Sequence, residues 1–134
     1  MVWREYLNVL LDTHVFLWLT AEPDKLSRRA VELLEDSSSE IYLSSVSVWE
    51  IVVKHSKGRL SLPEDPKIFI PRARTTYHVT PLALKEESAL IGSRLPWHHQ
   101  DPFDRMLICQ ALSENLTILT ADRQIRKYAV QTVW

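Results

Sequence analysis

The stretch YLNVLLDTHVFLWL, residues 6–19, decides how the rest of the chain is read. Residues 6–11 form an apolar run of strand length that stops at Asp12, which predicts a buried strand with a carboxylate at its C-terminal end. Thr13 then starts a helix, and this helix closes at Glu22-Pro23 because the residue before a proline avoids helical geometry. A buried strand that runs directly into a helix is the opening half of a βαβ unit.

The same alternation continues outward from that stretch. Leu26 to Glu35 has apolar residues at helical spacing with Ser27 as a cap; Ile41 to Leu43 reads as a second strand. A helix follows over Val46 to His55 and stops at Lys57-Gly58. Leu60 to Arg74 holds three prolines and is expected to be a loop followed by a short helix that Pro71 interrupts or starts. A third strand is expected at Tyr77 to Val79, and a helix over Ala83 to Leu95 that ends before Pro96. Asp101 and Pro102 suit the cap and first position of a helix running to about Leu112, followed by a strand at Leu116 to Leu119. A helical turn over Arg123 to Tyr128 and a strand over Val130 to Val133 complete the chain. Strands separated by helices throughout predict one domain, residues 1–134, built as a three-layer α/β/α sandwich around a mostly parallel sheet of about five strands.

Composition excludes several classes of function. With two glycines in 134 residues the chain has neither a GxGxxG nor a GxxxxGK[ST] phosphate loop. Cys109 is the only cysteine, so no internal disulfide and no cysteine-based zinc cluster can form. No apolar run approaches the roughly 18 residues of a membrane span, and MVWREYLN lacks the features of a signal peptide, so a cytoplasmic protein without membrane contact is expected. The formal net charge is −1, so a polyanionic substrate would have to be held by local cations or by metal ions.

Four carboxylates stand out against this frame. Asp12 and Asp122 follow apolar strands, Glu50 interrupts an apolar helix, and Asp104 lies in the first turn of another. In an open parallel sheet, ligands bind beyond the carboxyl ends of the strands, and the helices returning to that edge would bring Glu50 and Asp104 to the same rim. Each acid also has a plain structural reading: Glu50 as an i,i+4 partner of Lys54, worth only ~0.3 kcal/mol, and the acids of the DPFD stretch as helix caps. Clustered together, the four would raise one another's pKa sharply unless something positive joined them. An all-oxygen set suits Mg²⁺ or Mn²⁺ better than zinc, and the matching chemistry is phosphodiester hydrolysis by a metal-activated water. Asp101 keeps its capping role and adds charge to the rim, as a further candidate ligand.

Asp12-Thr13, Ser47-Val48-Trp49-Glu50-Ile51, Asp101-Pro102-Phe103-Asp104-Arg105 with Leu107-Ile108-Cys109-Gln110-Ala111, and Thr120-Ala121-Asp122 resemble PIN-domain proteins, and more narrowly the VapC-type toxins of type II toxin-antitoxin systems. The resemblance runs from about Asn8 to Val133. It implies a magnesium- or manganese-dependent endoribonuclease on a parallel α/β/α sandwich, held inactive by an antitoxin protein and assembled as a homodimer. The family's acids carry over onto Asp12, Glu50, Asp104 and Asp122, and Asp101 is the extra acid of the DPFDR variant. An apolar surface near Trp18 and Trp49 would receive the antitoxin. This chain departs from the family in the length of MVWREY before the first strand, in His14 after the Asp-Thr pair, and in Cys109 where alanine is usual.

Other polar residues read more plainly. His14, His98 and His99 could contact phosphate or act as general acids, but His98 and His99 lie in a polar loop and are rather expected to be solvated or to contact backbone. Thr13 and Thr120 are expected to cap helices or orient metal-bound water. Lys54, Lys57, Arg59, Arg105, Arg123, Arg126 and Lys127 could follow an RNA backbone or form a solvated face. Of the tryptophans, at 3, 18, 49, 97 and 134, an exposed one would be a partner-binding or base-stacking candidate. The rival to a nuclease is a non-catalytic α/β binding module, receiver-like or a degenerate PIN-like domain, that holds a divalent ion or a basic peptide at its acidic rim.

Overall fold

The computed structural model describes residues 7–134. The strand expected from Tyr6 therefore begins outside the described residues, as does Trp3; the ordered strand β1 is Asn8–Leu11. It is followed by α1 (Thr13–Ala21), α2 (Arg28–Glu35), β2 (Glu40–Ser44), α3 (Ser45–Ser56), α4 (Pro66–Tyr77), β3 (Thr80–Leu82), α5 (Glu86–Ile91), α6 (Pro102–Glu114), β4 (Thr117–Leu119) and β5 (Thr132–Val133). The strands form one sheet in the order β3-β2-β1-β4-β5, and every pairing is parallel.

Side chains alternate across a strand, and here the alternation divides the core in two. Val9, Leu11, Ile41, Leu43 and Leu119 pack with Val15 and Phe16 of α1, Ala30 of α2, Ile51 of α3 and Ile70 and Ala73 of α4. Leu10 and Ile118 point the other way and pack with Leu107, Ile108, Cys109 and Ala111 of α6. Helices on both faces of a buried parallel sheet make the expected three-layer sandwich. Going from β3 to β4, the chain passes over β2 and β1, so the strand order reverses at the seam between β1 and β4.

Three expectations need correction. Tyr77 ends α4, His78 takes the left-handed conformation that stops it (φ 55°), and the third strand begins only at Thr80. Pro81 hid that strand from a sequence reading; β3 is an edge strand, where a missing N–H is tolerated. Pro71 neither starts nor ends its helix but lies inside α4, which opens at Pro66 under an Asp65 cap. An interior proline costs about 3 kcal/mol; Pro71 stands on the exposed side of α4, and burial of Ile70 and Ala73 on the other side holds the helix. The helix expected over residues 83–95 is only Glu86–Ile91, followed by a 3-10 turn at Gly92–Arg94. Before it, the backbone is spent on tertiary bonds: the Leu84 N–H donates to Ser45 and the Ala83 carbonyl accepts from Gln110.

Gln110 is fully buried on α6, and its amide joins the two halves of the fold. Its Oε1 accepts from Ser44, whose hydroxyl oxygen in turn caps α3 by accepting from the Val46 N–H. Replacing Gln110 with Met would keep the volume but remove the acceptor of the Ser44 hydroxyl proton and the donor to the Ala83 carbonyl. Denaturant unfolding of Gln110→Met should show a loss of about 1–3 kcal/mol, whereas a loss confined to a few tenths would mean that the amide carries no such role.

Candidate active site

The seam between β1 and β4 builds the centre of the site. Asp12 leaves β1 as the N-cap of α1, its Oδ1 accepting the His14 N–H at 3.0 Å. Its backbone N–H donates to the Leu119 carbonyl at the end of β4, and its Oδ2 accepts from the Thr120 hydroxyl at 2.6 Å. Thr120 also accepts the Asp122 N–H, so one hydroxyl sets the positions of both strand-end acids. Thr13, the other threonine read from sequence as a cap, instead donates to Ser47 of α3 at 2.8 Å and fixes α1 against the helix that carries Glu50.

Glu50 combines its two readings. It pairs with Lys54 one turn on, through Oε2 at 2.5 Å, and its side chain is nevertheless only 3% exposed. The other oxygen, Oε1, is buried without a hydrogen-bond partner. Burial would lower the Lys54 ammonium, but the hydrogen bond and charge of Glu50, reinforced by Asp101 and Asp104, hold it above the usual lysine value. Asp101 caps α6 as expected, its Oδ1 accepting the N–H groups of Phe103 and Asp104. Asp104 lies in the first turn of α6, where the helix end favours negative charge. Even so, burial and then the charges of Asp12, Asp101, Glu50 and Asp122 push its carboxyl up to about 8. Burial likewise raises Asp12, opposed by the Thr120 and His14 hydrogen bonds. The other acids singled out from sequence thus all act electrostatically on Asp104.

Among the described residues, the tightest set of potential ligand atoms, all within 4.8 Å of one another, belongs to His99, Asp104 and Asp122; Asp12 and Glu50 stand outside it. His99 Nε2 lies 2.9 Å from Asp104 Oδ2 and 3.1 Å from Asp122 Oδ2. The expectation of a backbone contact holds for one face of this ring, since Nδ1 accepts the Asp101 N–H at 3.2 Å. Its other edge is in the acidic site, against Asp104 and Asp122, where the sequence reading weighs a functional role but favours a solvated one. The available signal was position: His99 stands two residues before the helix cap that aims Asp104. His98 is exposed and packs edge-on against Tyr128.

Arg105 holds the loop that carries His99. Its guanidinium points away from the acids, Nη1 donating to the carbonyls of Pro96 and His99 and to the Tyr128 hydroxyl, and Nη2 to the carbonyls of Gly92 and Leu95. Trp97 stacks on it at 3.6 Å. Tyr128 completes the clamp by accepting the His99 N–H and donating to the Pro96 carbonyl. Arg105 is therefore a structural cation and not one free to meet RNA.

Two outcomes follow from this arrangement. Lysine at position 105 keeps the charge but cannot reach so many acceptors, so Arg105→Lys should lower stability by about 2–3 kcal/mol in denaturant unfolding; an unchanged midpoint would contradict the clamp. In chelator, Asp104 holds in the folded state a proton that the unfolded chain releases, because its value of about 8 exceeds the ordinary 3.8. That contribution is whole below about pH 4 and is lost as pH rises toward about 8, with a slope of up to about 1.4 kcal/mol per pH unit. Unfolding series across this range should show the slope, and Asp104→Asn should flatten it; equal slopes in the two proteins would be the contrary result.

The chain matches the PIN domain over residues 9–131. It is 28% identical to Ribonuclease VapC22 of Mycobacterium tuberculosis (strain ATCC 25618 / H37Rv) over 131 residues, which cover 95% of this chain and 98% of the relative. Among solved structures, VapBC2 from Rickettsia felis bound to a DNA fragment from its promoter superposes with a TM-score of 0.70 at 13% identity, covering 95% of this chain and 98% of the other. DNA-bound VapBC from Salmonella typhimurium gives 0.67 at 17% identity, with coverages of 95% and 97%. The structural likenesses carry the fold, and the match over residues 9–131 spans the same strands and helices that bring the acids to the sheet edge: this chain belongs to the PIN-domain family.

Proposed function

We propose that this chain is a metal-dependent endoribonuclease, the toxin of a type II toxin-antitoxin pair, with its active site at the acidic rim. The observation that carries the reading is the buried Glu50 Oε1, without a hydrogen-bond partner among the described residues, in a site where Glu50, Asp12, Asp101 and Asp122 all act on Asp104. Such crowding calls for a cation beyond Lys54, and the carboxylate oxygens suit a hard one, Mg²⁺ or Mn²⁺. Asp12, Glu50, Asp104 and Asp122 would hold it, with Asp101 adding charge from the helix cap. Bound there, such an ion would supply an activated water and offset charge on the scissile phosphate.

The remaining work falls to the chain. Thr120 and the His14 N–H orient the Asp12 carboxylate, the Gln124 N–H orients Asp122, and Lys54 binds one Glu50 oxygen while the other stays without a hydrogen-bond partner among the described residues. Beside the acids, Thr13, His14, Glu50, Lys54 and Arg59 line a recess of about 250 Å³, which brings two cations close enough to hold an RNA backbone despite the overall charge of −1. A ribonuclease among the relatives supports RNA as the substrate, and solved relatives that are VapBC assemblies support an antitoxin partner. Trp49, 61% exposed, walls an apolar pocket of about 410 Å³ with Val46, Leu84, Phe103 and Met106, a surface of the kind a partner protein or a second copy in a homodimer covers. Trp18 packs instead on Trp134. No helix among the described residues is long and apolar enough to cross a membrane, consistent with action on cytoplasmic RNA.

Asp12→Asn and Asp104→Asn should each abolish divalent-dependent RNA cleavage while circular dichroism shows an intact fold. Full activity in either variant, or cleavage that persists in chelator, would sink the assignment. Metal-induced thermal stabilisation without any cleavage would favour a binding module instead.

A further inference from the structure

His99 has two possible relations to a metal at this site, as a nitrogen ligand or as a support for the ligands, and its hydrogen bonds separate them. A backbone N–H can only donate. The Asp101 N–H donates to His99 Nδ1, so Nδ1 presents its lone pair and the neutral ring carries its proton on Nε2. That same Nε2 is the atom between Asp104 Oδ2 and Asp122 Oδ2. It therefore meets the two carboxylates with an N–H and has no lone pair to offer a cation.

We propose that His99 is a positioning residue, whose Nε2–H bridges Asp104 and Asp122 and holds their carboxylates in place for a divalent cation that His99 itself does not ligate. The inference rests on the metal-site reading above. Three features of the fold serve this role. The Asp101 N–H that selects the tautomer belongs to the N-cap of α6, the helix whose first turn carries Asp104, so ring and carboxylate are set by the same helix entrance. The loop bringing the ring there is fixed by bonds from its backbone to Arg105 and Tyr128, and these hold His99 by its N–H and its carbonyl. The ring is only 15% exposed, which protects its hydrogen bonds from competition with water. Asp122 gains most, since it stands 32% exposed on a short segment after β4, where among the described residues the other hydrogen bond to its carboxylate is from the Gln124 N–H to Oδ1. One N–H thus joins an acid of the β4 end to an acid of α6, as the Thr120 hydroxyl joins the ends of β4 and β1.

The first test needs no metal. Long-range ¹H–¹⁵N correlation spectra of the ¹⁵N-labelled chain in chelator, with His99 assigned by its absence from His99→Gln, should show the Nε2–H tautomer with a bare Nδ1. A proton on Nδ1 would overturn the proposal. The second test follows Mn²⁺ binding by electron paramagnetic resonance. His99→Ala should weaken binding about 10–100-fold, the usual effect of losing a group that orients ligands. His99→Gln, whose amide N–H reaches the same position, should recover most of that loss. The spin-echo modulation of bound Mn²⁺ should show no directly coordinated nitrogen that disappears in His99→Gln. Such a nitrogen signal would make His99 a ligand and overturn the proposal, as would unchanged affinity in His99→Ala. If the unsubstituted chain binds no Mn²⁺ at all, the metal-site reading fails and takes this inference with it; binding that is indifferent to His99 removes the inference alone.

Discussion

The seam between β1 and β4 is the constraint on which the rest depends. Leu11 and Leu119 lie side by side in parallel register, the Asp12 N–H extends that ladder by one bond, and the Thr120 hydroxyl closes it onto the Asp12 carboxylate. Here the strand order reverses, so the helices that follow β1 and the helix that precedes β4 leave on opposite faces and open a crevice at the sheet edge. A residue at position 12 meets one at position 120 only because the chain passes over two strands before it forms β4. Glu50 and Asp104 arrive at the same edge on helices that cross those two faces.

Placing so many acids together is unfavourable, and the structure meets that cost locally. Lys54 neutralises one oxygen of Glu50, the start of α6 faces Asp104, and the His99 ring stands between Asp104 and Asp122. What is left is seen in the Asp104 carboxyl, which burial and the neighbouring acids hold well above the usual carboxylate range. The overall charge of −1 hides this concentration of charge, because cations elsewhere on the chain cancel it in the sum without relieving it in space.

The stretch DPFDR shows how a short segment can serve several ends at once. Asp101 caps the helix, Pro102 suits its first position, Phe103 walls the apolar pocket beside Trp49, Asp104 enters the acidic site and Arg105 turns back to gather loop carbonyls. Successive residues at a helix start point in different directions, so one entrance orders the acid, its supporting loop and a neighbouring surface together. This explains why an arginine beside a candidate metal ligand is buried and fully engaged instead of free to meet substrate.

Much of this was legible in the amino-acid sequence, and the reason is local. Apolar runs of strand length, helical spacing at Leu26 to Glu35, the Asp-Pro helix start and the carboxylates ending two strands each depend on neighbours a few residues away. Element order then implied a parallel sheet with helices on both faces, and with it a common rim for Asp12, Glu50, Asp104 and Asp122. The exceptions depend on tertiary context. Pro81 is acceptable in a strand because β3 lies at the sheet edge, and Pro71 in a helix because α4 is held by the burial of Ile70 and Ala73. The 83–95 helix shortened because Gln110 and Ser45 claim the backbone before it. His99 reads from sequence chiefly as a solvated loop histidine, because the bonds that place it, from Arg105 and Tyr128 to its backbone and from the Asp101 N–H to its ring, exist only in the folded chain. Sequence alone determined which residues bear charge and which segments must be buried; only the fold decided which of those charges meet, because hydrogen bonds between distant segments, not periodicity, aim the side chains.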